Sequence, residues 1–226
     1  MNNTLINHLS PLVTNERWQL MNKIINDRTK YLTVVLEDIY QPHNASAVLR
    51  TCDCFGIQEV HIIENQNQYQ VNPDVALGAS KWLNLHKYNE EKNNTVACIN
   101  SLKKNGYRIV ATTPHTDDVA LDNFDLQNGK TALLFGSEQP GLSKLAMDHA
   151  DEFLKIPMLG FTESFNISVS ASIILHHLRL KLNQSEISWM LTNKEKEEIL
   201  LNWLRQSINR SDIIEKEFLK RHKDTI

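Results

Sequence analysis

Glycine is scarce, with seven in 226 residues. That is about 3% where about 7% is usual, so each glycine is expected to mark a turn or a close approach that a side chain would forbid. Cysteine is rarer still. Cys52, Cys54 and Cys98 form an odd set whose spacings argue against a disulfide framework and for a reducing compartment, here the cytoplasm. No apolar run approaches the ~18 residues a membrane helix needs. The stretch from Met1 to Pro11 lacks the basic-then-apolar layout of a secretory leader. Excess positive charge is missing too: 24 Lys and Arg stand against 27 Asp and Glu, a net charge of −3. This excludes a generic polyanion binder while leaving room for a local basic patch. Residues 179–226 are the only net-positive part, by two.

Several signatures of chemistry are also absent. No G-x-G-x-x-G follows the first strand, no G-x-x-x-x-G-K-[ST] occurs, and there is no G-x-S-x-G elbow. Cys52 and Cys54 point about 200° apart on a helix. His176 and His177 have no cysteine or carboxylate at metal spacing. No metal site is expected.

What is present reads as one α/β domain with helical ends. Short Val- and Ile-rich runs at Leu32–Leu36, Val60–Ile63, Ile109–Ala111, Ala132–Phe135 and Phe153–Ile156, with a weaker one near Leu83–Leu85, suit strands buried on both faces of a mostly parallel sheet. Helical stretches alternate with them at Ala45–Phe55, Thr95–Lys104, Leu142–His149 and Ile167–Leu182, which places helices on both faces. An amphipathic helix at Asn15–Asp27 precedes the sheet. A stripe of Ile199, Leu200, Trp203 and Leu204, then one of Ile213, Ile214, Phe218 and Leu219, follow it. The expected organisation is a helical extension over residues 1–30, an α/β domain over 31–182 and a second helical extension over 183–226.

Three polar segments sit at strand or helix ends, where α/β sheets gather ligands. The first is Pro42-His43-Asn44-Ala45-Ser46-Ala47-Val48-Leu49-Arg50-Thr51, with Asn44 placed as a helix N-cap. The second is Phe135-Gly136-Ser137-Glu138-Gln139-Pro140-Gly141, a buried strand entering a turn whose two glycines flank a carboxylate. The third runs from Ile156 to Ser168, a polar loop in which Ser164 or Asn166 caps a very apolar helix. Its backbone groups among apolar side chains suit a neutral, partly aromatic ligand such as an adenosine. Each segment alone also reads as an ordinary capped helix or turn.

Together, in this order, the three resemble the motifs of the SpoU-type branch of the SPOUT methyltransferases. The P-H-N-x-S-A-x-x-R-T run at Pro42–Thr51 is most similar to the TrmH-like tRNA (guanosine-2′-O-)methyltransferases. The resemblance covers roughly Leu32 to Leu182. It implies a C-terminal trefoil knot, S-adenosylmethionine held in that knot, and a homodimer whose active sites draw on both subunits. It also implies 2′-O-methylation of a tRNA ribose at guanosine 18 of the D-loop. Position by position, it assigns catalytic roles to Asn44, Arg50, Glu138, Ser164 and Asn166. Cofactor contacts fall to Thr112, Gly136, Ile156 and Phe165, where the family usually has leucine at the last position.

A guanidinium with a pKa above about 12 is a poor base, so Arg50 is expected to bind a neighbouring phosphate and orient the ribose hydroxyl. Candidate RNA contacts are Arg17, Arg28, Lys30, Arg179, Lys181, Arg205 and Arg210. Methylation of ribosomal RNA by the same chemistry is the near alternative, and a non-catalytic RNA-binding protein on the same scaffold the more distant one. The short stretch before the first strand favours tRNA over ribosomal RNA, since many ribosomal enzymes carry an added N-terminal RNA-binding domain.

Overall fold

The structure, a computed structural model, describes residues 2–70, 72–114, 119–137 and 139–223. The chain divides into two compact units, Thr29–Trp189 and the described parts of Met1–Arg28 with Met190–Ile226.

In the larger unit the Val- and Ile-rich runs become β1 (Leu32–Glu37), β2 (Glu59–Ile63), β3 (Asn84–Tyr88), β4 (Arg108–Thr112), β6 (Thr131–Phe135) and β7 (Glu152–Lys155), joined by a two-residue β5 (Val119–Ala120). All seven are parallel in the order β3-β2-β1-β6-β4-β7-β5. Val34 pairs with Val60 on one side and Leu133 on the other, and Leu133 pairs with Val110. The central strands are therefore apolar on both faces, as a sheet covered by helices on both sides requires.

One face (Val34, Leu36, Val60, Val110, Leu133, Phe135) packs under α3 (Pro42–Cys54) and α7 (Ile167–Asn183), which contribute Val48, Leu49, Ile174, Leu175 and Leu178. The other (Val35, Ile63, Ile109, Leu134) packs under α5 (Asn94–Lys104) and α6 (Lys144–His149), through Cys98, Ile99, Leu102 and Ala146. A single turn, α4 (Pro73–Ala76), lies between β2 and β3.

The expected cap at Asn44 is corrected. The helix α3 starts earlier, with Pro42 in its first turn and Gln41 at the cap without a side-chain bond. Proline is preorganised there and its missing N–H has no intrahelical partner to lose. Asn44 is left inside the first turn, 4% exposed and without a capping role.

The edge of the sheet carries a polar ladder. Glu59, almost buried, accepts from Lys30 Nζ at 3.0 Å and pairs with His86, whose ring stacks on His61. Burial alone pushes the Glu59 carboxyl up, but the His86 hydrogen bond, the Lys30 charge and Asn84 overrule it and hold it at about 2. Burial pushes His61 down to about 4, helped by the neighbouring His86.

In the smaller unit α1 (Asn2–Leu9) and α2 (Asn15–Ile24) pack on α8 (Asn193–Ser207), and α9 (Ser211–Lys223) follows. The predicted stripe of Ile199, Leu200, Trp203 and Leu204 is buried, together with Leu5, Ile6, Leu9 and Met21. Thr192 and Glu195 form a capping box at the start of α8.

Candidate active site

The strand order reverses at β1. The chain builds outward to β2 and β3, then crosses to place β4 and β6 on the other side of β1, with β7 beyond. Loops leaving the carboxyl ends of β4, β6 and β7 are thereby neighbours, the place where open α/β sheets bind ligands.

They enclose a cleft of about 350 Å³, lined by Thr112, Thr113 and Pro114 after β4, by Phe135, Gly136, Ser137, Gly141 and Leu142 after β6, and by Ile156, Met158, Ser164 and Phe165 after β7. Helices add Met147, Ile167, Ser170 and Ile174 to the lining. The volume lies in the range of small-molecule sites. The described lining carries no formal charge; it offers hydroxyls, backbone groups and apolar side chains.

All four positions proposed for cofactor contact, Thr112, Gly136, Ile156 and Phe165, lie on this lining, and so does Ser164. The Thr112 hydroxyl donates to the Leu134 carbonyl at 2.7 Å, so its side chain is already engaged within the protein. Gly136 is required by space. A Cβ there would stand 2.5 Å from the Gly141 carbonyl oxygen and nearer still to the Gly141 carbonyl carbon and the Leu142 nitrogen. The loop after β6 therefore folds back on its own root, and only glycine permits that approach.

Asn166 caps α7, accepting from Ser168 N at 2.9 Å and from Ser168 Oγ at 2.7 Å. Its Nδ2 donates to Asn44 Oδ1 at 3.2 Å, across 122 residues of chain, while Asn44 Nδ2 donates to Gln41 Oε1 at 3.3 Å. The first and third polar segments meet through this amide pair, and Thr51 and Ser172 bridge the same two helices farther along at 3.1 Å.

Arg50 is not brought to the cleft. It is exposed on α3, absent from the lining, and makes no hydrogen bond or ion pair with the described residues. Glu138 lies outside the described residues.

Spacing alone missed Met147, Ser170 and Ile174. On a helix, such residues read as core, and only the packing of α6 and α7 beside the strand ends makes Met147 on the one and Ser170 and Ile174 on the other into walls of the cleft. Among the described residues no cluster of His, Cys, Asp or Glu is arranged to hold a metal ion, and no helix is long and apolar enough to cross a membrane.

The basic candidates need revision. Arg28 is 3% exposed and stacks on Trp203; Arg179 is 7% exposed, lies over Trp189 and donates to Asn183. Lys30 is held by Glu59, Lys181 by the carbonyls of Asp122 and Phe124, and Arg205 by Glu215. These cations serve internal partners, and Arg17 and Arg210 stay exposed.

Comparison with known proteins agrees with this geometry. Residues 31–176 match the SpoU rRNA Methylase family. A Borreliella burgdorferi protein named tRNA (guanosine(18)-2′-O)-methyltransferase is 43% identical over 207 residues, 92% of this chain and 93% of that protein. A Thermus thermophilus protein of the same name is 34% identical over 197 residues, 85% of this chain and 98% of the other. Among solved structures, the A. aeolicus TrmH/SpoU tRNA modifying enzyme superposes with a TM-score of 0.76 at 27% identity, covering 86% of this chain and 98% of that one.

Proposed function

This chain belongs to the SpoU rRNA methylase family, and from that premise we propose that it methylates the ribose 2′-hydroxyl of guanosine 18 in tRNA, using S-adenosylmethionine. The substrate follows the names of relatives that match it nearly end to end. The observation that carries the reading is the convergence of three strand-end loops on one cleft whose described lining is uncharged, beside the Asn44–Asn166 pair.

The described lining fits the cofactor. Apolar side chains with backbone groups and hydroxyls suit a neutral adenosine, and the cradle at Gly136 admits backbone-close binding that a Cβ would fill. Bound there, S-adenosylmethionine supplies a methyl group already activated on a sulfonium, whose departure leaves a neutral thioether. The protein therefore needs little acid catalysis, and its task is alignment, which supplies roughly 7–11 kcal/mol when both reactants are held in near-attack geometry. Thr112, Gly136, Ile156 and Phe165 hold the cofactor through backbone and apolar contacts. Ser164, Asn166 and Asn44 hold the ribose side of the cleft, and the resemblance gives Glu138 a catalytic role as well. Arg50 grips the phosphate next to the target ribose as a bidentate donor and so orients the hydroxyl, whose proton passes to water.

Because Arg50 does not line the cleft of its own chain, the complete site draws on a second subunit. The homodimer is supported by an apolar stripe on α7, with Val169 43% and Leu180 50% exposed and Ile173 half-buried between them. The trefoil knot fits two loops, those after β6 and β7, that wrap the same cleft. A cytoplasmic location fits the tRNA substrate.

The test is incubation with methyl-labelled S-adenosylmethionine and unmodified tRNA, followed by mapping of alkali-resistant ribose. Label on the ribose of guanosine 18 is expected. Label on a base, or on ribosomal RNA and not on tRNA, would refute the assignment.

A further inference from the structure

Glu37, the last residue of β1, is 2% exposed and forms no ion pair with the described residues. A buried carboxylate without a cation is costly unless donors surround it, and here they do. Oε1 accepts from Thr95 Oγ1 at 2.7 Å and from Ser143 Oγ at 2.8 Å, while Oε2 accepts from Ser143 N at 2.8 Å. Ser143 follows directly on Gly141 and Leu142 of the cleft lining and caps α6 by accepting from Ala146 N at 3.1 Å. One carboxylate at the end of a central strand thus holds both the N–H and the O–H of the residue that terminates the loop after β6. The other end of that loop is fixed by the close approach at Gly136.

We propose that Glu37 is a positioning residue for the cofactor, a latch that sets Gly141 and Leu142 at the cleft wall by holding Ser143. The proposal rests on reading the cleft as the S-adenosylmethionine site. A carboxylate offers both oxygens as acceptors, and here one takes the Ser143 N–H and the other the Ser143 O–H. In Glu37→Gln one oxygen becomes an NH₂, so the hydroxyls of Ser143 and Thr95 that now donate to the carboxylate have to turn round and accept, and the hold on the loop end is weakened.

The experiment is calorimetric titration of the full-length protein with S-adenosylmethionine, alongside steady-state kinetics and thermal melts. Glu37→Gln should raise Kd for S-adenosylmethionine by about tenfold or more, the scale of a lost hydrogen bond to a charged group. Its kcat at saturating cofactor should stay within about twofold. Ser143→Ala keeps the N–H bond and should raise Kd by a smaller factor, and the double variant should show less than the product of the two. Thr95→Val removes a donor from the same carboxylate while leaving Ser143 held, so it should lower Tm and leave Kd within about twofold. Equal rises in Kd for Glu37→Gln and Thr95→Val, or an unchanged Kd in Glu37→Gln, would overturn the latch. If Glu37→Gln does not fold, an unchanged Kd in Ser143→Ala overturns it. A wild-type protein that binds no S-adenosylmethionine defeats the underlying reading of the cleft instead.

Discussion

Gly136→Ala separates steric from conformational demands in the cofactor loop. The added methyl would lie 2.5 Å from the Gly141 carbonyl oxygen, where ordinary contact begins at 3.4 Å. That carbonyl must therefore retreat by about 1 Å, and the obstacle is backbone, which has no rotamer to change. Overpacking of this kind costs roughly 1–3 kcal/mol, or roughly 2–12 °C in Tm for a chain of this size. Displacing a substrate-positioning wall by about 1 Å costs on the order of 10²-fold in catalytic efficiency. Two other glycines serve as controls. Gly141 has φ +90° with open space where a Cβ would stand, so Gly141→Ala carries backbone strain of order 1–3 kcal/mol and no clash. Gly160 has neither a positive φ nor a neighbour within 4 Å, so Gly160→Ala should stay within about 0.5 kcal/mol of wild type. Thermal melts and S-adenosylmethionine titrations should rank the three with Gly136→Ala worst in affinity and Gly160→Ala unchanged. If Gly136→Ala bound the cofactor as wild type does, with Tm within about 1 °C, the folded-back loop would be the wrong description of the site.

Arg50→Lys should lower kcat/KM for tRNA by about 10²-fold with S-adenosylmethionine affinity unchanged, because a point charge cannot replace a bidentate fork; near-full activity would remove Arg50 from the reaction. Acid should destabilise the fold in two steps. His61, held neutral with its pKa down at about 4 against 6.5 unfolded, contributes stability present above pH 6.5 and lost as pH falls toward 4, of order 3 kcal/mol. Glu59, at about 2 against 4.5, contributes stability present above pH 4.5 and lost as pH falls toward 2. Melts of wild type and His61→Gln should diverge in slope between pH 6.5 and 4, and parallel curves would contradict the first step. A thiol reagent should modify Cys54 alone in the native protein, since Cys52 and Cys98 are buried and burial pushes the Cys98 thiol up to about 12; rapid loss of a second thiol would show that the core opens.

The strands were legible because parallel strands buried on both faces must be continuous apolar runs, and five of the six expected runs both begin and end within one residue of an observed strand. The weak run at Leu83–Leu85 is the informative miss. The strand is Asn84–Tyr88, and its residues His86, Lys87 and Tyr88 sit at the sheet edge, where one side needs no apolar cover. The two-residue β5 and the helix Asn2–Leu9 left no periodic signal long enough to read. Glycine scarcity was a sound guide with two separate causes behind it: close approach at Gly136 and a positive φ at Gly141. Gly160 has neither, so rarity alone over-read it. Asn44 was taken for a cap because its type suits one, whereas Pro42 competed for the helix start and won. The internal partners of the basic candidates were not legible for a related reason: a cation in sequence carries no sign of the ring or carboxylate that will occupy it, as Trp203 and Trp189 occupy Arg28 and Arg179.

The proposed assembly of the site from two copies accounts for its charge distribution. A cleft walled by hydroxyls, backbone and apolar side chains is suited to the methyl donor and, among its described residues, holds no cation to meet a phosphate. Arg50 has the opposite character, exposed, without an ion pair among the described residues and set on the flank of α3. Rotating α3 to turn Arg50 toward its own cleft would mean repacking its buried face, Val48, Leu49 and Cys52, which is committed to the core it shares with the sheet and α7. Such a core repacks only at a cost of several kcal/mol. The proposed second subunit, whose Arg50 is already exposed, would cost no internal packing and would cover the apolar stripe of α7 in the same event. In the proposed dimer the single chain would supply the donor half of one site and the phosphate-gripping half of another, and a heterodimer of Arg50→Ala with an Asn166→Ala subunit should retain one working site of two. Activity in that mixed dimer near half of wild type, with each homodimer inactive, is the expected result; two inactive parents giving an inactive mixture would place Arg50 and Asn166 in the same subunit's site.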